Sequence, residues 1–281
     1  MTSDDESQLS LPPHARGAQA AHATRFELGL AVAPISDLWD VVARRDVDLA
    51  FHRFGPGGGD GLYMWDGRRG LIVANSSKAA VPLRVRFTVA HELGHHEMHR
   101  SPGNRFLVAD RDVESESSDF EREANAFAAV LLAPDRALQD DLRGRPPDSI
   151  EVVDVVRLMH RYGLSFAALL NRLNHAGCIR VLDRTRLKNE GVKGRVKELM
   201  SAIGFDPKKS FPVPGEQVPT DYLVGVTGLY TRGVLGSSRV AELLRLPESR
   251  ARSLVESVGS SGSEPSPTHA ELRELDALLR D

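Results

Sequence analysis

The sequence predicts an α+β fold, mainly helical, in which a small antiparallel sheet is followed by long helices. Three observations lead to it. Short β-prone runs cluster between residues 48 and 74. Long helix-prone stretches follow from Arg84 onward. One of these holds His91-Glu92-Leu93-Gly94-His95, and the next, after a polar link, holds Glu121 and Glu123.

Taken in order, residues 1–24 contain Pro12, Pro13 and several Ala, Gly and Ser, and read as a disordered lead-in. Ile35, Leu38, Val41 and Val42 then recur at helical spacing after a proline, with Ser36 as a cap. The runs Asp48–Phe54, Leu62–Trp65 and Leu71–Ala74 alternate as strands do, and Asp66-Gly67 between the last two is a hairpin signal. Arg84–His99 and Asp119–Leu132 are helical, the second closed by Pro134, and the link Arg100–Ser118 is polar and rich in turn formers. Ile150–Ala176 reads as two helices broken at Tyr162-Gly163-Leu164-Ser165, where Gly163 suits a helix end and Ser165 the next N-cap. Val192–Ile203 and Thr220–Val258 are helix-prone, joined by the Pro-rich connector Phe205–Pro219. The chain therefore divides into the lead-in 1–24, a core 25–145, a helix-turn-helix-like segment 146–178, a C-terminal helical module 179–258 and a mostly disordered tail 259–281.

Composition excludes several classes of function. Of 281 residues, 41% are hydrophobic and 27% charged, as in ordinary globular proteins. The net charge of -3 gives no general attraction to nucleic acid or anionic membranes. Residues 180–209 are an exception, with nine Lys or Arg against four acids, and read as a solvated basic face. The single cysteine, Cys178, rules out a disulfide framework and a thiolate-rich metal site. No apolar run approaches the ~20 residues of a spanning helix, and Met1–Leu11 lacks the basic start and apolar core of a signal peptide. A cytoplasmic protein is expected.

The chemistry sits in Phe87–His95. On a helix His91 and His95 lie one above the other and can offer imidazole nitrogens to one ion at about 2.0–2.1 Å. Glu92 stands about 100° round the helix, near a metal-bound water without competing as a ligand. The expected division of labour is that the ion activates the water and polarises a scissile carbonyl, while Glu92 takes the proton and delivers it to the leaving amine. Zinc is the expected ion and manganese the alternative, since two imidazoles and a carboxylate suit either.

A catalytic zinc needs three protein ligands. Glu121 follows His95 by 26 residues, enough for the chain to return, and shares a helix face with Asn125, a polar neighbour able to orient the site. Glu123 points roughly 200° away and is expected to face solvent or join a salt bridge. His99, four residues after His95, either flanks the metal face, replaces Glu121 as ligand, or is a bystander. His96 projects off that face. His52, His160 and His175 are isolated in sequence, and any could donate to an oxyanion.

The segments Arg86–His99 and Glu121–Pro134 resemble the signature helix and the glutamate helix of the ImmA/IrrE metallopeptidases, with Ala133 where that family typically has Met. The run Gly70–Asn75 also fits, and the resemblance covers roughly residues 30–178. It implies a zincin-like fold followed by a helix-turn-helix-like segment, and a ligand glutamate at Glu121. It also implies, as substrate and partner, a helix-turn-helix DNA-binding repressor whose cleavage relieves repression of stress-response or mobile-element genes. The alternative is a transcriptional regulator or docking scaffold that acts without proteolysis. Its support is the basic stretch and the pair Ile150–Ala176, whose second helix offers Asn171, Arg172 and Asn174 for DNA readout. A structural or docking role for that pair is the preferred expectation.

Overall fold

The structure, a computed structural model, describes residues 11–54, 58–101, 106–109, 118–244 and, in part, 246–253. It opens with helix α1, Pro13–Glu27, started by Pro13 in the first turn. This replaces the lead-in expected over 1–24; residues 1–10 lie outside the described ones. The buried side of α1 is made of Gly17, Ala21, Thr24 and Arg25 rather than large apolar residues. Arg25 donates to the carbonyls of Ala31, Ala33 and Leu131. A short helix, α2, spans Leu38–Ala43 and is capped by Asp37, whose carboxylate accepts from the Trp39 and Asp40 amides, rather than by Ser36.

Four strands form one sheet: β1 Val47–His52, β2 Gly61–Trp65, β3 Gly70–Asn75 and β4 Phe106–Ala109, in the order β1-β3-β2-β4. The sheet is mixed, not antiparallel as expected. β1 runs parallel to β3, while β2 pairs antiparallel with β3 and β4. The hairpin at Asp66-Gly67 forms as its sequence suggests, with Asp66 Oδ1 accepting from the Arg68 and Arg69 amides at 2.7 Å and Gly67 at φ 99°. β4 lies inside the link that had read as turn-rich.

Helix α3, Pro82–His99, packs between the sheet and helix α4, Asp119–Leu132. It is buried on nearly every side, and the buried set includes Arg86, His91, Glu92, His95 and His96. So many polar groups in a core helix require partners, which is the mark of a site rather than of packing. α4 is started by Ser118, whose hydroxyl accepts from the Glu121 amide at 3.2 Å.

Beyond these lie α5 Asp135–Asp141, α6 Val152–Tyr162, α7 Phe166–His175, α8 Val181–Glu190, α9 Lys193–Ala202 and α10 Pro207–Ser210. The break between α6 and α7 falls as expected, with Gly163 at φ 66° and Ser165 Oγ accepting from the Ala168 amide. The polar residues of α7 are committed to the fold itself. Buried Arg172 donates to the Ala133 carbonyl and pairs with Asp135, both at 2.8 Å, Asn174 donates to the Ile179 carbonyl, and Asn171 accepts from Arg184. In the basic stretch, Arg180, Arg186 and Arg195 pair with Asp183, Glu190 and Glu198.

A single core runs from Ala21 to Phe211, and the first compact unit extends through Pro214. The boundaries expected at 145/146 and 178/179 are absent, because α6, α7 and α8 contribute Val155, Leu169 and Leu187 to that same core. A second unit begins at Gly215, holds α11 Thr220–Thr231 and α12 Ser237–Leu244, and has its own small core of Leu223, Val226, Val240, Ala241, Leu244 and Ala251. The tail 259–281 lies outside the described residues. No helix among the described residues is long and apolar enough to cross a membrane.

Candidate metal centre

The centre is built where α3 and α4 pack against each other. A Cβ on Gly94 would meet the Ala124 Cα and the Phe127 ring at 3.1 Å, so glycine and alanine at this crossing let the backbones meet. One turn away, α3 presents His91 and His95 on one face, their Nε2 atoms 3.1 Å apart. α4 delivers Glu121 from its first turn, with Oε2 3.1 Å from His91 Nε2 and Oε1 3.2 Å from His95 Nε2. All three side chains are buried.

These distances suit a small divalent ion. Bonds of about 2.0–2.1 Å in tetrahedral array put neighbouring donor atoms about 3.3 Å apart, close to the spacings here. Among the described residues, His91, His95 and Glu121 are the group of three His, Cys, Asp or Glu side chains that converge in this way. His99, the other ligand weighed from sequence, is not in it. The ionisation states also fit. Burial lowers the His95 pKa, against the pull of its hydrogen bond to Glu121, and so favours the neutral imidazole. Burial alone would raise Glu121, but hydrogen bonds from His91 and His95 prevail and hold it well below the usual carboxylate range. An imidazole held away from its charged form and an ionised carboxylate are what a divalent cation requires of these two ligands.

The rear nitrogens of both histidines are engaged. His91 Nδ1 lies 3.1 Å from Asn125 Oδ1, as the shared face of Glu121 and Asn125 suggests. His95 Nδ1 lies 2.8 Å from His99 Nδ1. His99 Nε2 in turn lies 2.7 Å from Glu123 Oε2, and Arg16 Nε donates to Glu123 Oε1 at 2.6 Å. Glu123 is therefore buried in a salt bridge rather than facing solvent. Burial lowers the His99 pKa in spite of Glu123.

Glu92 is 1% exposed and lies against the start of β2. A Cβ on Gly61 would fall 2.9 Å from Glu92 Oε1 and 2.6 Å from Thr88 Cγ2. His96 faces the sheet instead. Its Nδ1 is 3.0 Å from the Tyr63 hydroxyl, its Nε2 meets Arg100, and a Cβ on Gly70 would strike its ring. Burial and then Arg100 and Arg45 hold its pKa down at about 3, so it pins α3 to the sheet as a neutral ring. His160 stacks on Phe205 at 4.7 Å, and His175 ends α7 and His52 ends β1. None of the three joins the donor group. Sequence reasoning missed Arg16, the inward turn of Glu123 and the need for Gly61. A fixed spacing signals none of them, because each depends on a contact between distant elements.

No curated protein matches the chain. The family model of peptidase M78, described as the IrrE N-terminal-like domain, matches residues 42–174, a span that takes in His91, Glu92, His95 and Glu121 together with the sheet and both helices that carry them. Over these residues the chain carries an IrrE N-terminal-like domain of the peptidase M78 type.

Proposed function

We propose that the protein is a metal-dependent endopeptidase in which His91, His95 and Glu121 hold a zinc ion and Glu92 is the general base. The observation that carries this reading is the convergence of a buried carboxylate on two buried imidazoles, on the helix that also buries Glu92. A bound divalent ion supplies Lewis acidity that activates water and polarises a carbonyl. Glu92 takes a proton from the attacking water on its carboxylate and returns it to the leaving amine. His91 and His95, held from behind by Asn125 and His99, keep their donor atoms aimed at one point. Zinc is favoured over manganese by the ordinary order of divalent affinities at nitrogen donors.

The substrate we propose is a helix-turn-helix repressor in the cytoplasm, cut to relieve repression of stress-response or mobile-element genes. The family match over residues 42–174 and the resemblance of both helices support that choice. The fold also weakens the regulator alternative, because Arg172, Asn171 and Asn174 of α7 are occupied within the protein. The test is metal analysis of the full chain beside Glu121→Ala and Glu92→Gln, with cleavage of repressors encoded near its gene as second readout. The parent should hold a divalent ion and Glu121→Ala should lose it. Glu92→Gln should keep it while losing roughly 10²–10⁴-fold in cleavage rate. A parent that takes up no metal, or cellular derepression that survives Glu92→Gln, would sink the peptidase reading.

A further inference from the structure

The contacts behind His95 have a direction. For His95 to bind a metal through Nε2, the atom that faces Glu121 and His91, its lone pair must be free there and the ring proton must sit on Nδ1. That proton can only be donated to His99 Nδ1, 2.8 Å away, which must then be the lone-pair nitrogen of its own ring. His99 therefore carries its proton on Nε2 and donates it to Glu123 Oε2 at 2.7 Å. The far end demands the same order. Arg16 has donors and no acceptor, so Glu123 can only receive from it. Every group from Arg16 to His95 thus has one allowed role. The side chains of His99 and Glu123 are 3% and 6% exposed, which keeps water from offering alternative partners. Behind His91 the corresponding contact is with the neutral amide of Asn125.

We propose that His99, Glu123 and Arg16 form a one-directional hydrogen-bond relay that locks His95 in the tautomer able to bind metal through Nε2, which makes all three positioning residues of the centre. The inference rests on the metal reading above. It adds that α1, which precedes the matched residues 42–174, is a working part of the site. Gly17 serves the same purpose, because a Cβ there would lie 2.1 Å from the Glu123 carbonyl oxygen, and only glycine lets Arg16 come so close to α4.

The experiment measures zinc affinity of the full chain by competition with a chelator, and the visible spectrum of the cobalt(II)-loaded protein, for His99→Leu, Glu123→Gln, their double variant and Arg16→Met. Arg122→Ala, an exposed change on the same helix, is the control, and metal-free melting curves check folding. His99→Leu and Glu123→Gln should each weaken zinc binding roughly 10–100-fold and shift the cobalt bands. Arg16→Met should weaken it less. The double variant should be no weaker than the poorer single one, because the two act in series. If His99→Leu does not fold, His99→Gln repeats the measurement. Parent-like affinity and an unchanged cobalt spectrum in both single variants, with Glu121→Ala devoid of metal, overturn the relay and leave the metal site standing. A parent without metal overturns both.

Discussion

Gly61 has no unusual backbone conformation, so its reason for being glycine is the space its missing side chain leaves for Glu92 and Thr88. That space sets where the carboxylate stands. Alanine there must push Glu92 aside or part β2 from α3, and overpacking of this kind costs about 1–3 kcal/mol. Displacing a catalytic group by about 1 Å can cost on the order of 10²-fold in rate. We expect Gly61→Ala to bind metal like the parent, because the atoms nearest the new methyl belong to Thr88 and Glu92 rather than to the three donor residues, and to cleave substrate far more slowly. Titration of metal and assay of cleavage on one preparation test this, and a parallel loss of metal would show that Gly61 supports the cage rather than the base. At this scale the convergence of His91, His95 and Glu121 is legible in the sequence, because helix geometry turns spacing into direction. Gly61 is not, because its partner lies on another element.

Among elements, the crossing of α3 and α4 decides whether Glu121 reaches the two histidines. Gly94 and Ala124 meet there with no room for a larger group. Gly94→Val would drive the helices apart at the point that sets the cage, and its two γ carbons have nowhere to go beside Phe127. The expected result is a loss of stability of about 1–3 kcal/mol together with weakened metal binding, read by denaturant unfolding and metal titration. A destabilised variant with parent affinity would mean that Glu121 can follow the histidines without this packing. The same scale explains what the sequence concealed. The two metal helices, the hairpin and the α6–α7 break carry local signals: periodicity, Asp-Gly, and a glycine followed by a serine. α1 buries Gly17, Ala21, Thr24 and Arg25, so it lacks the apolar stripe by which a helix is recognised. β4 is four residues inside a polar link. The parallel pairing of β1 with β3 leaves no turn to read, since parallel partners are joined by long connections.

For the molecule as a whole, the division of the chain bears directly on where function resides. Domain boundaries drawn from composition cut the first unit twice, because helix-turn-helix rhythm describes local shape and says nothing of what the apolar faces cover. Leu169, Leu170 and Leu173 of α7 face the core that also holds Leu93 and Phe127 beside the metal cage. Phe211, near the end of this unit, lies under the guanidinium of buried Arg86 on α3, 4.4 Å from ring centroid to Cζ. The unit that ends at Pro214 thus contains every residue assigned to the centre, from Arg16 to Glu123, and the core that positions them. We expect residues 1–214, expressed alone, to unfold in one cooperative transition and to bind zinc as tightly as the full chain. A shorter piece ending at residue 178 should fail on both counts, since it lacks Leu187, Phe205 and Phe211 of that core. Calorimetry and metal titration on the two fragments check this. If the 178-residue piece proved as stable and as tight as the longer one, α8 to α10 would be an appendage, and the role of Phe211 against the metal-bearing helix would have to be abandoned.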